Sequence, residues 1–299
     1  MELTDLRYFV HVASASSFVE GARRAHVSPA AMSKAIKRLE LSFDVELFVR
    51  STRKVTLTRK GEAVLAHAES ILARVERLHG DLAHLENRVA GALTIGAMEV
   101  FSTELIPSAL AELVREHPSV TPRCYEIVPQ EMERLIAEGR CDVGFTIGGG
   151  RARGVDYNVV GRSPGVIACG RTHPLYGKGR LGVREAGKFP FVVPEFRGRE
   201  NEPSLDQFPQ DLCPRVVGAT IELMQTGIEL CVQGAYLGYF PEVSVRGALR
   251  DGRLRALRTT FRGEDFELRV LTRRSREASP ACAKLIELVA QRLASDRTA

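Results

Sequence analysis

Few residues in this 299-residue chain have the spacing that covalent chemistry requires. Gly161-Arg162-Ser163-Pro164-Gly165 matches Gly-x-Ser-x-Gly, in which a serine on a tight strand-to-helix turn is a nucleophile. That chemistry also needs a downstream acid and histidine. Here Val166-Ile167-Ala168-Cys169 reads as a strand, and the last histidine, His173, comes only ten residues after Ser163. No hydrolase is expected. Gly177-x-Gly-x-x-Gly182 fits a dinucleotide fingerprint, but no strand leads into it and no long helix follows, so it reads as a surface turn. His79 and His84 are five apart, poor spacing for one helical face, and no cysteine pair has the CxxC form. The six cysteines, at 124, 141, 169, 213, 231 and 282, read as small buried hydrophobes. Neither a metal nor a cofactor is expected.

The basic residues form a clearer pattern. Residues 23 to 60 hold ten cations (Arg23, Arg24, Lys34, Lys37, Arg38, Arg50, Arg53, Lys54, Arg59 and Lys60) against Glu40, Asp44 and Glu46. That excess of seven exceeds the +5 of the whole chain, so the rest is slightly acidic. A short basic region on a balanced protein suits a polyanion, with double-stranded DNA the first candidate.

The elements around these cations are readable. Leu3, Leu6, Phe9, Val10 and Ala13 form a helical stripe, and a short helix fits Phe18–Ala25. Ser28 then precedes Pro29, a cap followed by a residue favoured at the first helical position. In that third helix Met32, Ala35, Ile36 and Leu39 form the buried stripe, and Ser33, Lys34, Lys37 and Arg38 lie opposite. Leu47-Phe48-Val49 and Val55-Thr56-Leu57 flank a polar turn, a hairpin with a cationic tip. Thr58 caps a long helix through about residue 88. Within it Val64, Ile71, Leu78 and Leu85 recur every seven residues, with Ala68, Val75, Leu82 and Val89 offset by four. This heptad predicts a dimerisation surface.

From residue 91 strand-like runs alternate with helical patterns, which predicts an α/β region with mostly parallel sheets. Strands are expected at 93–95, 125–128, 143–147, 165–169, 191–193, 216–219, 237–240 and 267–272. Helices are expected at 105–116, 131–138, 221–233 and 280–294. At 44% hydrophobic and 26% charged, the chain is globular in composition. The first residues lack a secretory pattern and no apolar run reaches membrane-spanning length, so free thiols in a reducing cytoplasm are expected.

Taken in order, Leu6-Arg7-Tyr8-Phe9-Val10, Ser17-Phe18, Ala22, Val27-Ser28, Met32 through Glu40, Leu47-Phe48, Val55 through Thr58, and Gly61 resemble the winged helix-turn-helix of LysR-type transcriptional regulators. The likeness continues more loosely through the rest of the chain. Ser28-Pro29-Ala30-Ala31 replaces the common Ser-Gln-Pro-Ala, Lys34-Ala35 replaces a frequent Arg-Gln, and Phe43-Asp44 stands where Leu-Gly is usual. Asp44 is then expected to adopt the left-handed conformation of that glycine.

The resemblance implies three parts: a DNA-binding domain over 1–60, a linker and dimerisation helix over 61–90, and an effector-binding domain over 91–299. The last has two periplasmic-binding-protein-like α/β lobes, 91–161 with 266–299 and 162–265. The recognition helix would enter the major groove. Ser28, Pro29, Ala30, Ser33, Lys34, Lys37 and Arg38 would face DNA, and Arg53 and Lys54 at the wing tip would reach the backbone or minor groove. The partners implied are an inverted-repeat operator, a homodimer extending to a homotetramer that bends DNA, RNA polymerase, and a small-molecule effector between the lobes. The place of action is the cytoplasm, at the nucleoid. Ligands of open α/β sheets sit at the carboxyl ends of strands and at helix N-termini. That points to Met98, Val100, Ser102, Thr103, Gln130, Thr146 and Ile147, and to Thr220 as the cap of the 221–233 helix. Phe196, Arg197 and Arg199 lie in a loop placed to close over the cleft. An arginine with helix dipoles suits a carboxylate effector. The rival is an architectural DNA-binding protein without an effector, disfavoured by about 200 residues of α/β domain.

Overall fold

A computed structural model describes residues 2–50, 55–85, 88–148, 150–195, 206–209, 214–259, 265–275 and 277–295. It divides into two compact units, Met1–Glu86 with Glu138–Arg140, and Asn87–Ala137 with Cys141–Ala299.

The first unit holds α1 (Leu3–Ala15), α2 (Phe18–Arg24), α3 (Pro29–Phe43), β1 (Phe48–Arg50), β2 (Val55–Leu57) and α4 (Arg59–Leu85). Leu6, Phe9 and Val12 of α1, Ala22 of α2, and Met32, Ile36 and Leu39 of α3 close one core with Leu47 and Phe48. Local chemistry sets each boundary. Ser17 Oγ accepts from Glu20 N to open α2, and Ser28 Oγ accepts from Ala31 N at 3.2 Å to open α3, with Pro29 in its first turn. Asp44 ends α3 at φ 54° and ψ 42°, the left-handed state expected of it. β1 and β2 pair antiparallel with Phe48 opposite Leu57. Thr58 Oγ1 accepts from Gly61 N at 2.9 Å and donates to Glu46 O, capping α4 and tying it to the hairpin. Gly61 permits this approach, because a Cβ there would lie 2.1 Å from Leu47 O.

The second unit contains two five-stranded sheets. The first is built from β3 (Gly91–Ala97), β4 (Val120–Glu126), β5 (Val143–Ile147), β6 (Val155–Ser163) and β12 (Phe266–Arg273), in the order β4-β3-β5-β12-β6. With it go α5 (Glu99–Glu104), α6 (Ile106–Glu116), α7 (Pro129–Glu138) and α11 (Pro280–Ser295). The second sheet holds β7 (Gly165–Gly170), β8 (Pro190–Pro194), β9 (Val216–Ile221), β10 (Leu237–Pro241) and β11 (Leu254–Ala256), in the order β11-β7-β10-β8-β9. Its helices are α8 (Val183–Ala186), α9 (Met224–Val232) and α10 (Glu242–Arg250). The chain passes from the first sheet to the second at Ser163-Pro164-Gly165 and returns with β12, which inserts between β5 and β6.

Three sequence expectations need correction here. The sheets are mixed, not mostly parallel. β3, β4 and β5 run parallel, as do β8, β9 and β10, but β12 is antiparallel to β5 and β6, and β7 to β10 and β11. Helical crossovers make only the parallel parts, and strands that arrive otherwise are free to reverse. The helix expected at 105–116 is α6, with Pro107 in its first turn, and a separate short helix, α5, precedes it. The fourth strand runs 120–126 rather than 125–128. α9 starts at Met224, and Thr220 and Ile221 belong to β9.

Candidate nucleic-acid interface and ligand cleft

The outer face of α3 follows from its periodicity. Met32, Ala35, Ile36 and Leu39 are buried, which turns Pro29, Ala30, Lys34 and Lys37 outward, all exposed, with Ser28 exposed and Ser33 half-buried beside them. Three cations of this unit are already paired within it. Arg38 Nε donates to Asp5 Oδ2 at 3.0 Å and its Nη2 donates to Oδ1, while the Asp5 side chain is fully enclosed. The guanidinium holds the Asp5 carboxyl below its ordinary pKa. Arg38 therefore braces α3 against α1. Arg23 and Arg24 converge on Glu20, whose pKa falls to about 2 through those hydrogen bonds. The hairpin is fastened to α3 by Glu40, whose Oε1 accepts from Leu47 N at 2.9 Å. Arg53 and Lys54 lie outside the described residues.

The heptad of α4 divides in two. Ala68 is buried in the unit's own core and Val64 packs against it, whereas Ile71 and Leu78 are exposed and Val75 is half-buried. Exposed apolar residues on a helix fit a seam for a partner; a buried Ala68 does not. The side chains of Leu82 and Leu85 lie outside the described residues, and Val89 packs on the core of the second unit.

In the second unit a cavity of about 350 Å³ opens between the two sheets. Its wall comes from the carboxyl ends of strands in both: Met98 after β3, Glu126 to Pro129 after β4, Ile147 ending β5, Val192 to Pro194 of β8, Ile221 to Met224 after β9, and Tyr239 to Pro241 of β10. Parallel strands with helices following them leave such a crevice at that end. Met98 and Ile147 are thus placed on the wall as expected. Val100 is buried in the core, and Thr146, fully enclosed, donates to Met98 Sδ at 3.2 Å. Ser102 and Thr103 donate back to Glu99 O within α5, and Gln130 is exposed near the start of α7. None of these, nor Thr220 on β9, lines the cavity. Phe196 and Arg197 lie outside the described residues.

Sequence reading missed the charged lining residues: Glu99, Glu126, Asp206 and Glu222. Glu126 and Glu222 sit at strand ends, a signal the strand-end rule supplies once β4 and β9 are correctly bounded. Glu99 reaches across the cleft. Its carboxylate accepts from Met224 N at 2.5 Å and Gln225 N at 2.8 Å, the first amides of α9. Asp206 pairs with buried Arg215, whose guanidinium stacks 4.3 Å from the Phe208 ring centre.

The serine of the Gly-x-Ser-x-Gly run serves the backbone. Ser163 is buried at the passage between the sheets, and its Oγ accepts from Val243 N at 3.0 Å. Gly165 admits Tyr239, since a Cβ there would fall 1.9 Å from the tyrosine hydroxyl. His173 is buried, with Nδ1 accepting from Leu175 N, and burial lowers its pKa. Burial pushes Cys141, Cys231 and Cys282 up to about 12 and Cys169 to about 11, so these thiols stay protonated and unreactive. No helix among the described residues is long and apolar enough to cross a membrane.

Comparison with known proteins agrees with this architecture. Residues 3–62 match the family model for "Bacterial regulatory helix-turn-helix protein, lysR family", and residues 86–294 match that for "LysR substrate binding domain". The HTH-type transcriptional regulator TtuA of Agrobacterium vitis is 31% identical over 242 residues, covering 78% of each chain. The Hca operon transcriptional activator HcaR of Escherichia coli is 33% identical over 177 residues, 60% of this chain and 59% of that protein. The crystal structure of the LysR family regulator CbnR superposes with a TM-score of 0.75 at 20% identity, covering 97% of this chain and 99% of that one. A second CbnR structure, complexed with its target DNA, gives 0.74. A helix-turn-helix that presents an outward basic helix, followed by a two-sheet domain with a cavity, is a reader joined to a sensor. The chain belongs to the LysR family of transcriptional regulators, non-enzymatic proteins that bind DNA through the first unit and a small-molecule effector through the second.

Proposed function

We propose that this regulator reads an inverted-repeat operator as a homodimer, with the exposed face of α3 in the major groove of each half-site. The outward set Pro29, Ala30, Lys34 and Lys37 carries this reading, because the core leaves it uncovered at the N-terminal end of α3. Lys34 and Lys37 contact phosphates or guanine acceptors, Ser28 and Ser33 add hydrogen bonds, and Pro29 and Ala30 offer apolar contact to a thymine methyl. Arg53 and Lys54 extend the contact from the wing. Arg38 contributes by holding α3 on α1. Ile71 and Leu78 supply the dimer seam on α4, continued by Leu82 and Leu85. A homotetramer spans two such sites and bends the DNA between them, and contact with RNA polymerase follows at the promoter. The protein acts in the cytoplasm, at the nucleoid.

The effector occupies the cleft lined by Met98 and Ile147. It changes the angle between the lobes by binding one of two arrangements better than the other. Fluorescence anisotropy tests the DNA reading. The full-length protein is titrated with the duplex upstream of its own gene and with a scrambled duplex, at two salt concentrations. Preference for the first, falling steeply with salt, is the expected result. Equal binding to both duplexes would instead support an architectural role.

A further inference from the structure

The effector cleft carries a sign. Among the described residues, every charged side chain on its wall is a carboxylate, and the rest of the wall is mainly apolar. Two of the four carboxylates are satisfied within the protein. Glu99 takes the first amides of α9, and Asp206 takes Arg215. Glu126 and Glu222 have no partner among the described residues. Burial, Glu99 and Glu222 together push the Glu126 carboxyl above its ordinary pKa, the mark of negative charge collected in one place. The other natural cradle for an anion, the N-terminus of α9, is closed by Glu99 itself. One further group awaits a partner: Tyr239 lines the cavity, is 3% exposed, and its hydroxyl is enclosed without a hydrogen bond among the described residues.

We propose that the cleft takes a small molecule with an apolar body and a cationic amino or amidino group, held by Glu126 and Glu222. This rests on reading the cleft as the effector site. It departs from the carboxylate ligand that the sequence suggested, because that expectation relied on Arg197 and on free helix amides, and the amides of α9 are occupied. A compact ammonium with three donors matches two carboxylates set against an apolar wall, and a cavity of this size holds a ligand of about ten heavy atoms.

The test is calorimetric titration of the full-length protein with a matched pair, benzylamine and benzoate, repeated on the variant Glu126→Gln/Glu222→Gln. Benzylamine is expected to bind the wild type, with benzoate silent, and the double variant to lose about tenfold or more in benzylamine affinity. Binding of benzoate in preference to benzylamine overturns the proposal, and loss of that binding in Arg197→Ala would assign the anion site to Arg197. Silence of both compounds at millimolar concentration overturns it as well, as does benzylamine binding that the double variant leaves unchanged. The DNA footprint separates this proposal from the reading beneath it. If benzylamine binds through Glu126 and Glu222 but leaves the footprint unaltered, the ligand chemistry stands and the effector role of the cleft fails.

Discussion

The recognition helix and the cleft are opposite solutions to binding. α3 presents cations outward from a face that its own core leaves bare, and everything it needs lies within about ten consecutive residues. The cleft presents carboxylates inward, and its wall is drawn from residues 98 to 266. A long polyanion is met by an exposed, positive surface. A small ligand is met by an enclosed one whose charges are partly spent on the protein itself. The difference teaches that charge must be counted after internal pairing: Arg38 and Glu99 both look available in the sequence, and both are engaged within the fold.

Substitutions that separate the two regions sharpen this contrast. The largest effect is expected from Gly61→Ala. The new Cβ meets the Leu47 carbonyl at 2.1 Å, so the hairpin must move away from α4, at a cost of about 3 kcal/mol. Thermal melting should show the first unit unfolding earlier and DNA binding lost, with ligand binding by the cleft unchanged. Loss of both would mean that the regions do not fold independently. Lys34→Ala/Lys37→Ala follows, with DNA affinity falling by about thirtyfold and the salt slope by about 2, while the melting profile stays in place. A retained slope would remove these lysines from the phosphate contacts.

Next comes Asp5→Asn, expected to cost about 1–2 kcal/mol by weakening the bond to Arg38. The pH dependence gives its signature. Asp5 titrates below its ordinary value in the folded chain, so its contribution is present above about pH 4 and fades as the pH falls through the folded value. Acid titration of the variant should lack that step. Glu99→Ala leaves two amides of α9 without their acceptor and should cost about 1 kcal/mol in the second unit alone, read by hydrogen exchange at Met224 and Gln225. The smallest effect is a gain. Asp44→Gly relieves a non-glycine left-handed residue and should stabilise the first unit by up to about 1 kcal/mol in denaturant melts.

The legibility of these two regions differs for a physical reason. Ser28-Pro29, Thr58 and the stripe from Met32 to Leu39 act on neighbours a few residues away, so their meaning survives in the linear sequence. Asp44 was legible too, because the resemblance sets it where the family usually has a glycine, and it takes that residue's left-handed conformation. The cleft depends on partners far apart in the chain. Glu99 bonds to residues 125 and 126 positions onward, and Tyr239 meets Gly165 across β10 and β7. Strand ends gave Met98 and Ile147 because β3 and β5 read clearly. An early placement of α9 drew attention to Thr220, and a late placement of β4 hid Glu126. The pairing of Arg38 was not legible, because nothing local announces that Asp5 waits on α1.

The position of β12 also orders the birth of the molecule. β12 sits between β5 and β6, yet about a hundred residues separate it from β6, and those residues build the other sheet. As the chain leaves the ribosome, the first lobe begins first but closes last. β5 and β6 wait without their common neighbour until the second lobe has emerged. Contacts of such separation slow folding, and an unfilled gap between strands is open to the wrong partner. A nascent chain stalled before Phe266 therefore carries a finished DNA reader and an unfinished sensor, a mismatch that the order of synthesis builds into every copy.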